Sequence, residues 1–228
     1  MRRKRYERNG TSISATDNAV LAEKKVCIIG CGGLGGYIAE MLLRVGVLRL
    51  TLIDPDVFDE TNLNRQLFST EMGIGKPKVF EAKKRLLSVD EKADIQALQE
   101  KLDETNAHTH LAGHDVVVDA LDNLSARRIA AGACRELGIP FVHGAIGGWY
   151  GQVSVILPHS GHSFEELYKN ISDDDIDKSM GNLPFVAGYA ACLQCSETVK
   201  LLLGKRPNLQ GSVVRFDLLD TELDVFGF

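Results

Sequence analysis

Apolar positions along the 228-residue chain alternate between short unbroken runs and helically spaced stripes. "KVCIIG" reads as a buried strand, and residues 34–44 put Ile38, Met41 and Leu42 on one face of a helix. "LRLTLID" is a second strand, "DIQAL" a short third, and "DVVVDAL" a fourth whose unbroken apolar run predicts burial on both faces. Helices are expected at 79–87, with Pro77 in the first turn, and at 124–137. "IPFVHGAIG" follows as the next strand. This alternation predicts an α/β fold, a Rossmann-like, mainly parallel sheet with helices on both faces. The pattern then changes. "GQVSVILP" reads as a hairpin-like or edge strand, 183–203 as a long apolar helix stopped by Gly204, and "SVVRFDLLDTELDVF" as two short strands across an Asp-containing turn. A mixed or antiparallel C-terminal portion is therefore expected. With no repeat or low-complexity linker, residues 1–228 read as one domain with a helical arm at 1–24. The polar, acidic stretch 158–182 reads as a mobile crossover loop.

Charge and cysteine usage narrow the function. A net charge of −5 offers no electrostatic footprint for nucleic acid, and the run "RRKR" at 2–5 reads as a solvated terminus. Glycines and charges interrupt the most apolar region, so no membrane span is expected, and no signal peptide opens the chain. Five scattered cysteines suit thiols in a reducing compartment, which predicts a cytoplasmic protein.

The candidate chemistry begins at "GCGGLGG". Gly30, Gly32 and Gly35 satisfy G-x-G-x-x-G, with Gly33 between them, and Asp54 ends the second strand. Glycines let backbone N–H groups approach phosphates at a helix N-terminus, and a carboxylate at that strand end suits ribose hydroxyls. The fingerprint alone does not choose between NAD and ATP. The segment after Asp54 is too long for an ordinary connection and is expected to be functional. It carries Asn62, Asn64 and Arg65, and is followed by Lys76 and Lys78 in "GKPK". Asp122 and Asn123 lie past the fourth strand. Ligands of open parallel sheets bind beyond the carboxyl ends of the strands, where all these residues converge. Fixed cations and a carboxylate there suit a triphosphate with Mg²⁺. Lys76 taken alone reads as a surface charge.

"GCGGLGG", "DPDVFDETNLNRQLF", "GKPKV" and "DALDN", in that order and with "RYERN" at 5–9 before them, resemble the motifs of the ubiquitin-activating-enzyme superfamily. The chain is similar throughout its length to the ThiF/MoeB/HesA adenylyltransferases. The resemblance implies ATP- and Mg²⁺-dependent adenylation of the C-terminal Gly-Gly carboxylate of a ubiquitin-like sulfur carrier of the ThiS/MoaD type, for thiamine or for molybdopterin or tungstopterin synthesis. It implies that Gly33 and its neighbours contact the nucleotide, Asp54 the ribose, and that Asn62 orients the nucleotide. Arg65 and Lys78 would stabilise phosphate charge, and Asp122 would ligate Mg²⁺. Arg8 matches an arginine supplied across a dimer interface, so the resemblance implies a homodimer.

Two departures stand out. The paired Cys-x-x-Cys motifs that hold a structural zinc in many relatives are missing, and Cys192 and Cys195 form a single pair inside an apolar helix. No structural zinc is expected, His159 and His162 notwithstanding. Residues 158–182 also lack the cysteine with which some relatives pass on their product. Adenylation is the expected step, with sulfur transfer left to a separate sulfurtransferase. In "HGAIGGWYGQV", Trp149 and Tyr150 either line a channel for the carrier's tail or pack on the sheet beside a tight turn. Other readings keep ATP and change the acceptor to a peptide or a tRNA nucleoside, or make the chain a non-catalytic scaffold. An NAD-dependent dehydrogenase would leave Arg65, Lys78 and Asp122 without a shared purpose.

Overall fold

The computed structural model describes residues 3–175 and 178–228. Arg2, and Asp177 of the acidic run, lie outside them. A 3-10 turn at Lys4–Asn9 leads into α1 (Ala15–Glu23), whose Ser14 and Asp17 close a reciprocal capping box. Strands and helices then alternate as β1 (Lys25–Ile29), α2 (Gly33–Val45), β2 (Arg49–Ile53), α3 (Lys78–Val89), β3 (Asp94–Leu98), α4 (Ala107–Leu111), β4 (Val116–Asp119), α5 (Leu124–Leu137) and β5 (Phe141–Gly147). The C-terminal part adds β6 (Tyr150–Ile156), α6 (Phe164–Leu167), α7 (Pro184–Leu202), β7 (Ser212–Asp217) and β8 (Glu222–Gly227).

All eight strands join one sheet in the order β3-β2-β1-β4-β5-β6-β7-β8. Pairing is parallel from β3 through β5 and antiparallel from β5 to β8. The "GQVSVILP" strand is the return arm of a β5–β6 hairpin, and β7 covers its other side, so it is internal. Side chains of one strand alternate between two cores. Ile28, Leu50 and Leu52 face one core with α2, α3 and α7, whereas Cys27, Ile29 and Ile53 face the other with α4 and α5. β1 and β4 are buried on both faces, which is why both read as unbroken apolar runs.

The reversal of strand order between β1 and β4 fixes where a ligand sits. β2 and β3 extend to one side of β1, and β4 and β5 to the other, so the carboxyl ends of β1 and β4 open a crevice between diverging loops. Residues 158–182, expected as a mobile loop, carry defined structure where they are described. Ser163 and Glu166 cap α6 reciprocally, and Tyr168 is buried. Asp173 accepts from the Leu124 and Ser125 N–H groups and the Ser125 hydroxyl at the start of α5. Arg128 reaches the carbonyls of Tyr168 and Ile171.

Glu40 braces the first layer. It is buried on α2 and accepts hydrogen bonds from Arg85 of α3 at 2.8 and 2.9 Å and from Arg44 at 2.7 and 2.9 Å. The Arg85 hydrogen bonds, with those of Arg44, hold its carboxyl below the usual carboxylate range. A lowered folded-state pKa contributes stability above the unfolded pKa and loses it as pH falls through the folded one. Glu40→Gln is therefore expected to destabilise the fold at pH 7 by about 1–2 kcal/mol. In urea titrations the gap between variant and wild type should close as pH drops below the ordinary carboxylate range; a gap constant with pH would contradict the brace.

Candidate active site

The turn from β1 to α2 is built by close approach. Gly30 has φ +98° and lies so near β4 that a Cβ there would come within 2.4 Å of the Ala120 carbonyl oxygen. A Cβ on Gly35 would lie 1.8 Å from the Gly30 carbonyl oxygen, an impossible overlap. These two glycines allow α2 to start directly at the sheet edge. A Cβ on Gly32, the N-cap, or on Gly33, the first helical residue, would meet ordinary contacts only, Gln66 at 3.6 Å for the first and Arg65 and Ala187 at 3.6 and 3.7 Å for the second.

In front of this turn lies a cavity of about 720 Å³, in the size range of small-molecule sites. Gly30, Gly32 and Gly33 form one wall with Asp54. Arg65 and Lys78 line it from the segment after β2 and from the start of α3. Asp122 and Asn123 border it from the β4–α5 turn. Gly35 packs behind this wall and Lys76 is exposed away from it, neither lining the cavity.

Each charged group has a defined setting. Asp54 is buried, and its oxygens accept from the Cys31 N–H at 2.6 Å and the Asp56 N–H at 2.8 Å. Burial pushes its carboxyl up, against the pull of Lys78. Each oxygen keeps a further lone pair for a ligand hydroxyl. Lys78 is also buried, and its ammonium meets Asp56 at 2.8 Å. Arg65 is partly exposed and is steadied by the Thr61 carbonyl at 3.1 Å and Asn64 Oδ1 at 2.8 Å. Asp122 is exposed at the rim, beside the Asn123 amide at 3.2 Å.

Two asparagines expected at the ligand serve the scaffold. Asn62 is buried in a 3-10 turn, where its Oδ1 accepts from the Asp59 N–H at 3.1 Å. Asn64 donates to the Asn182 carbonyl at 3.2 Å and so ties this segment to the far rim. Neither lines the cavity. Asn123 caps α5 through the Ala126 N–H at 2.8 Å. Trp149 and Tyr150 stand at the tight β5–β6 turn, Trp149 against Phe185 with ring centres 5.1 Å apart, while Ala145, Ile146 and Gly147 line the cavity.

Arg8 is remote from this cavity. Its 3-10 turn is fastened at the C-terminal ends of α2 and α3, through Asn9 to the Val45 carbonyl and through Arg5 to the Val89 carbonyl. Both helices begin at the cavity, and a 12- or 13-residue helix is about 18–20 Å long.

Several lining residues escaped the sequence reading. Gln66 adjoins Arg65 in the motif, is buried, and leaves its Oε1 without a hydrogen-bond partner among the described residues. Arg127 is buried beneath Asp122, donates to the Leu121 and Gly144 carbonyls, and lies 3.4 Å from Asp119. Tyr168 reaches the floor from the crossover segment, where its hydroxyl meets His143 Nε2 at 2.8 Å and Gln152 at 2.5 Å. His143 Nδ1 in turn meets Asp119 at 2.6 Å. Burial drives the His143 pKa down. A neutral ring there would donate to Asp119 from Nδ1 and accept from the Tyr168 hydroxyl at Nε2.

A cavity with a glycine-lined helix start, two cations and a rim carboxylate suits a nucleoside polyphosphate. The ThiF family matches residues 6–227. The chain belongs to the ThiF family. Among similar proteins, the SAMP-activating enzyme E1 of Haloferax volcanii is 32% identical over 203 residues, covering 88% of this chain and 75% of that protein. The adenylyltransferase and sulfurtransferase MOCS3 of Arabidopsis thaliana is 32% identical over 217 residues, covering 94% of this chain and 47% of its own length. This ThiF domain thus spans about half the length of that relative. In structure, Escherichia coli MccB crystallised with ATP superposes with a TM-score of 0.87 at 20% identity, over 98% of this chain and 71% of that one. The fold is shared.

The Mg²⁺ expectation can be tested on the donor set. Among the described residues no group of three or more His, Cys, Asp or Glu could hold a metal ion. Mg²⁺ commonly takes one or two carboxylates and completes its shell with phosphates and water, so Asp122 at the rim fits an ion arriving with a nucleotide. Zinc asks for about four ligands. Cys195 is buried in α7, Cys192 lies exposed beside Met41, and His162 meets Phe228 edge to face. Among the described residues no helix is long and apolar enough to cross a membrane.

Lys78→Ala removes a buried charge-assisted contact. A fluorescent ATP analogue is expected to bind it about 10- to 100-fold more weakly. Undiminished affinity would take Lys78 out of the site.

Proposed function

We propose that this chain adenylates the C-terminal carboxylate of a ubiquitin-like carrier protein ending in Gly-Gly, using ATP. The observation that carries the reading is the convergence of Arg65, Lys78 and Asp122 on the cavity in front of the Gly32–Gly33 turn. The names of the similar proteins support it. The sulfur-carrier role, in thiamine or molybdopterin-type synthesis, belongs to the same proposal.

In the proposed reaction a carboxylate oxygen of the carrier attacks the α-phosphorus of ATP. The bond from that phosphorus to the oxygen bridging to the β-phosphate breaks, pyrophosphate leaves with the electron pair, and an acyl-adenylate forms. Two anions must meet, so repulsion has to be offset and geometry imposed. Backbone N–H groups of the glycine turn cradle phosphate oxygens. Lys78 and Arg65 compensate the charge, Gln66 offers an amide, and Asp54 accepts from the ribose. Asp122 would hold Mg²⁺, which would supply further charge neutralisation on the polyphosphate. The step uses no enzyme nucleophile. Ala145, Gly147 and Gly181 put small residues on the cavity wall, beside which an extended Gly-Gly tail would lie close to the backbone.

The proposal includes a homodimer in which Arg8 serves the nucleotide site of the second copy. The distance of the arm from its own cavity supports this. Sulfur transfer is assigned to a separate sulfurtransferase, as residues 158–182 contain no cysteine.

Asp122→Ala is expected to abolish carrier-dependent ATP–pyrophosphate exchange while leaving the unfolding temperature within about 2 °C of wild type, as for most exposed substitutions. A folded variant exchanging at the wild-type rate would remove Asp122 from the reaction.

A further inference from the structure

The N-terminal arm is held by a buried carboxylate that the reaction above does not use. Asp90 follows α3 and is only 1% exposed. Arg3 grips it with two hydrogen bonds, Nη1 to Oδ2 at 2.5 Å and Nη2 to Oδ1 at 2.8 Å. Arg5 Nη1 lies 2.9 Å from Oδ2 and also donates to the Val89 carbonyl at 2.9 Å. The Lys92 N–H donates to Oδ1 at 3.1 Å, and the hydroxyl of buried Tyr6 lies 3.5 Å from Oδ2. Both cations thus come from the arm, more than eighty positions away in sequence. On the other side, Tyr6 packs beside Gly46, and Asn9 and Asn18 both donate to the Val45 carbonyl.

A chain terminus frays unless tied down. Here the tie is a buried carboxylate held by two partly exposed guanidiniums, so loss of the cations would leave Asp90 buried without its charge partners. Arg8, one 3-10 turn beyond Arg5, is exposed and has no hydrogen-bond or ion-pair partner among the described residues. The arm therefore holds a free guanidinium in a fixed place on the surface, about 20 Å from its own cavity along α2.

We infer that Asp90 is a positioning residue for the nucleotide site of a second copy: by clamping Arg3 and Arg5 it sets the arm so that Arg8 reaches that site. This rests on the reading of Arg8 given above. Asp90 then matters in the copy that lends the arm, not in the copy that binds the nucleotide.

The test measures Mg²⁺-dependent binding of a fluorescent ATP analogue to the full chain, in homodimers and in heterodimers purified through two different tags. Arg8→Ala and Asp90→Asn homodimers should each bind about 10²-fold more weakly, the scale set by misplacing one charged group. Pairing Asp90→Asn with Asp122→Ala should restore one tight site per dimer, because the Asp122→Ala copy lends an intact arm. Pairing Asp90→Asn with Arg8→Ala should restore none, both arms being defective. One tight site in that last pairing would overturn the inference, since Asp90 would then act within its own copy. Wild-type binding by Asp90→Asn, with Arg8→Ala impaired, would overturn it as well. Wild-type binding by Arg8→Ala would remove instead the reading it rests on. Should Asp90→Asn not fold, Arg5→Ala, which leaves Asp90 its Arg3 partner, goes through the same pairings with the same outcomes expected.

Discussion

The structure depends on one close approach, that of the Gly35 backbone to the Gly30 carbonyl. With no side chain on either residue, α2 begins where β1 ends, and its first N–H groups face the crevice between β1 and β4. A helix start is a site of concentrated positive potential. Every other feature of the cavity is arranged around that point. Asp54 pins the turn through the Cys31 N–H, and Lys78 and Arg65 add side-chain charge to the fixed dipoles. The sheet supplies rigidity, and the loops at its carboxyl edge supply chemistry.

The crossover segment closes the far side with polar contacts added to the buried rings of Phe164 and Tyr168. Tyr168 docks on the buried His143–Asp119 pair, Asp173 satisfies the first N–H groups of α5, and Asn64 holds the Asn182 carbonyl. Each contact bridges an element that carries a proposed ligand group to the segment that faces it. Asp122 and Asn123 stand at the very turn whose helix Asp173 caps. Cavity shape and crossover position are thus coupled through hydrogen bonds.

Much of this was legible in the chain. Strand positions followed from apolar runs, and the placement of Arg65, Lys78 and Asp122 followed from the rule that ligands sit at the carboxyl ends of parallel strands. What the chain did not show has physical causes. Asn62 and Asn64 have the side chains of ligand binders, yet Asn62 bonds the neighbouring Asp59 backbone and Asn64 the Asn182 carbonyl far along the chain, partners that residue type cannot reveal. Gly35 belongs to the fingerprint for its packing. Gln66 could have been found as the buried neighbour of Arg65, but Arg127 and Tyr168 come to the floor through tertiary contacts with no local signal. The clamp on Asp90 joins residues far apart in sequence, and "RRKR" read as a solvated terminus because its carboxylate partner is not nearby in the chain.

The central claim is that the cavity turns ATP and a carrier's terminal carboxylate into an acyl-adenylate. ATP–pyrophosphate exchange by the purified chain with Mg²⁺ and a panel of ubiquitin-like carriers, each paired with a form lacking its terminal Gly-Gly, tests it most directly. Exchange that requires one intact Gly-Gly tail is the predicted result and identifies the carrier at once. ATP binding without exchange on any intact carrier would contradict it.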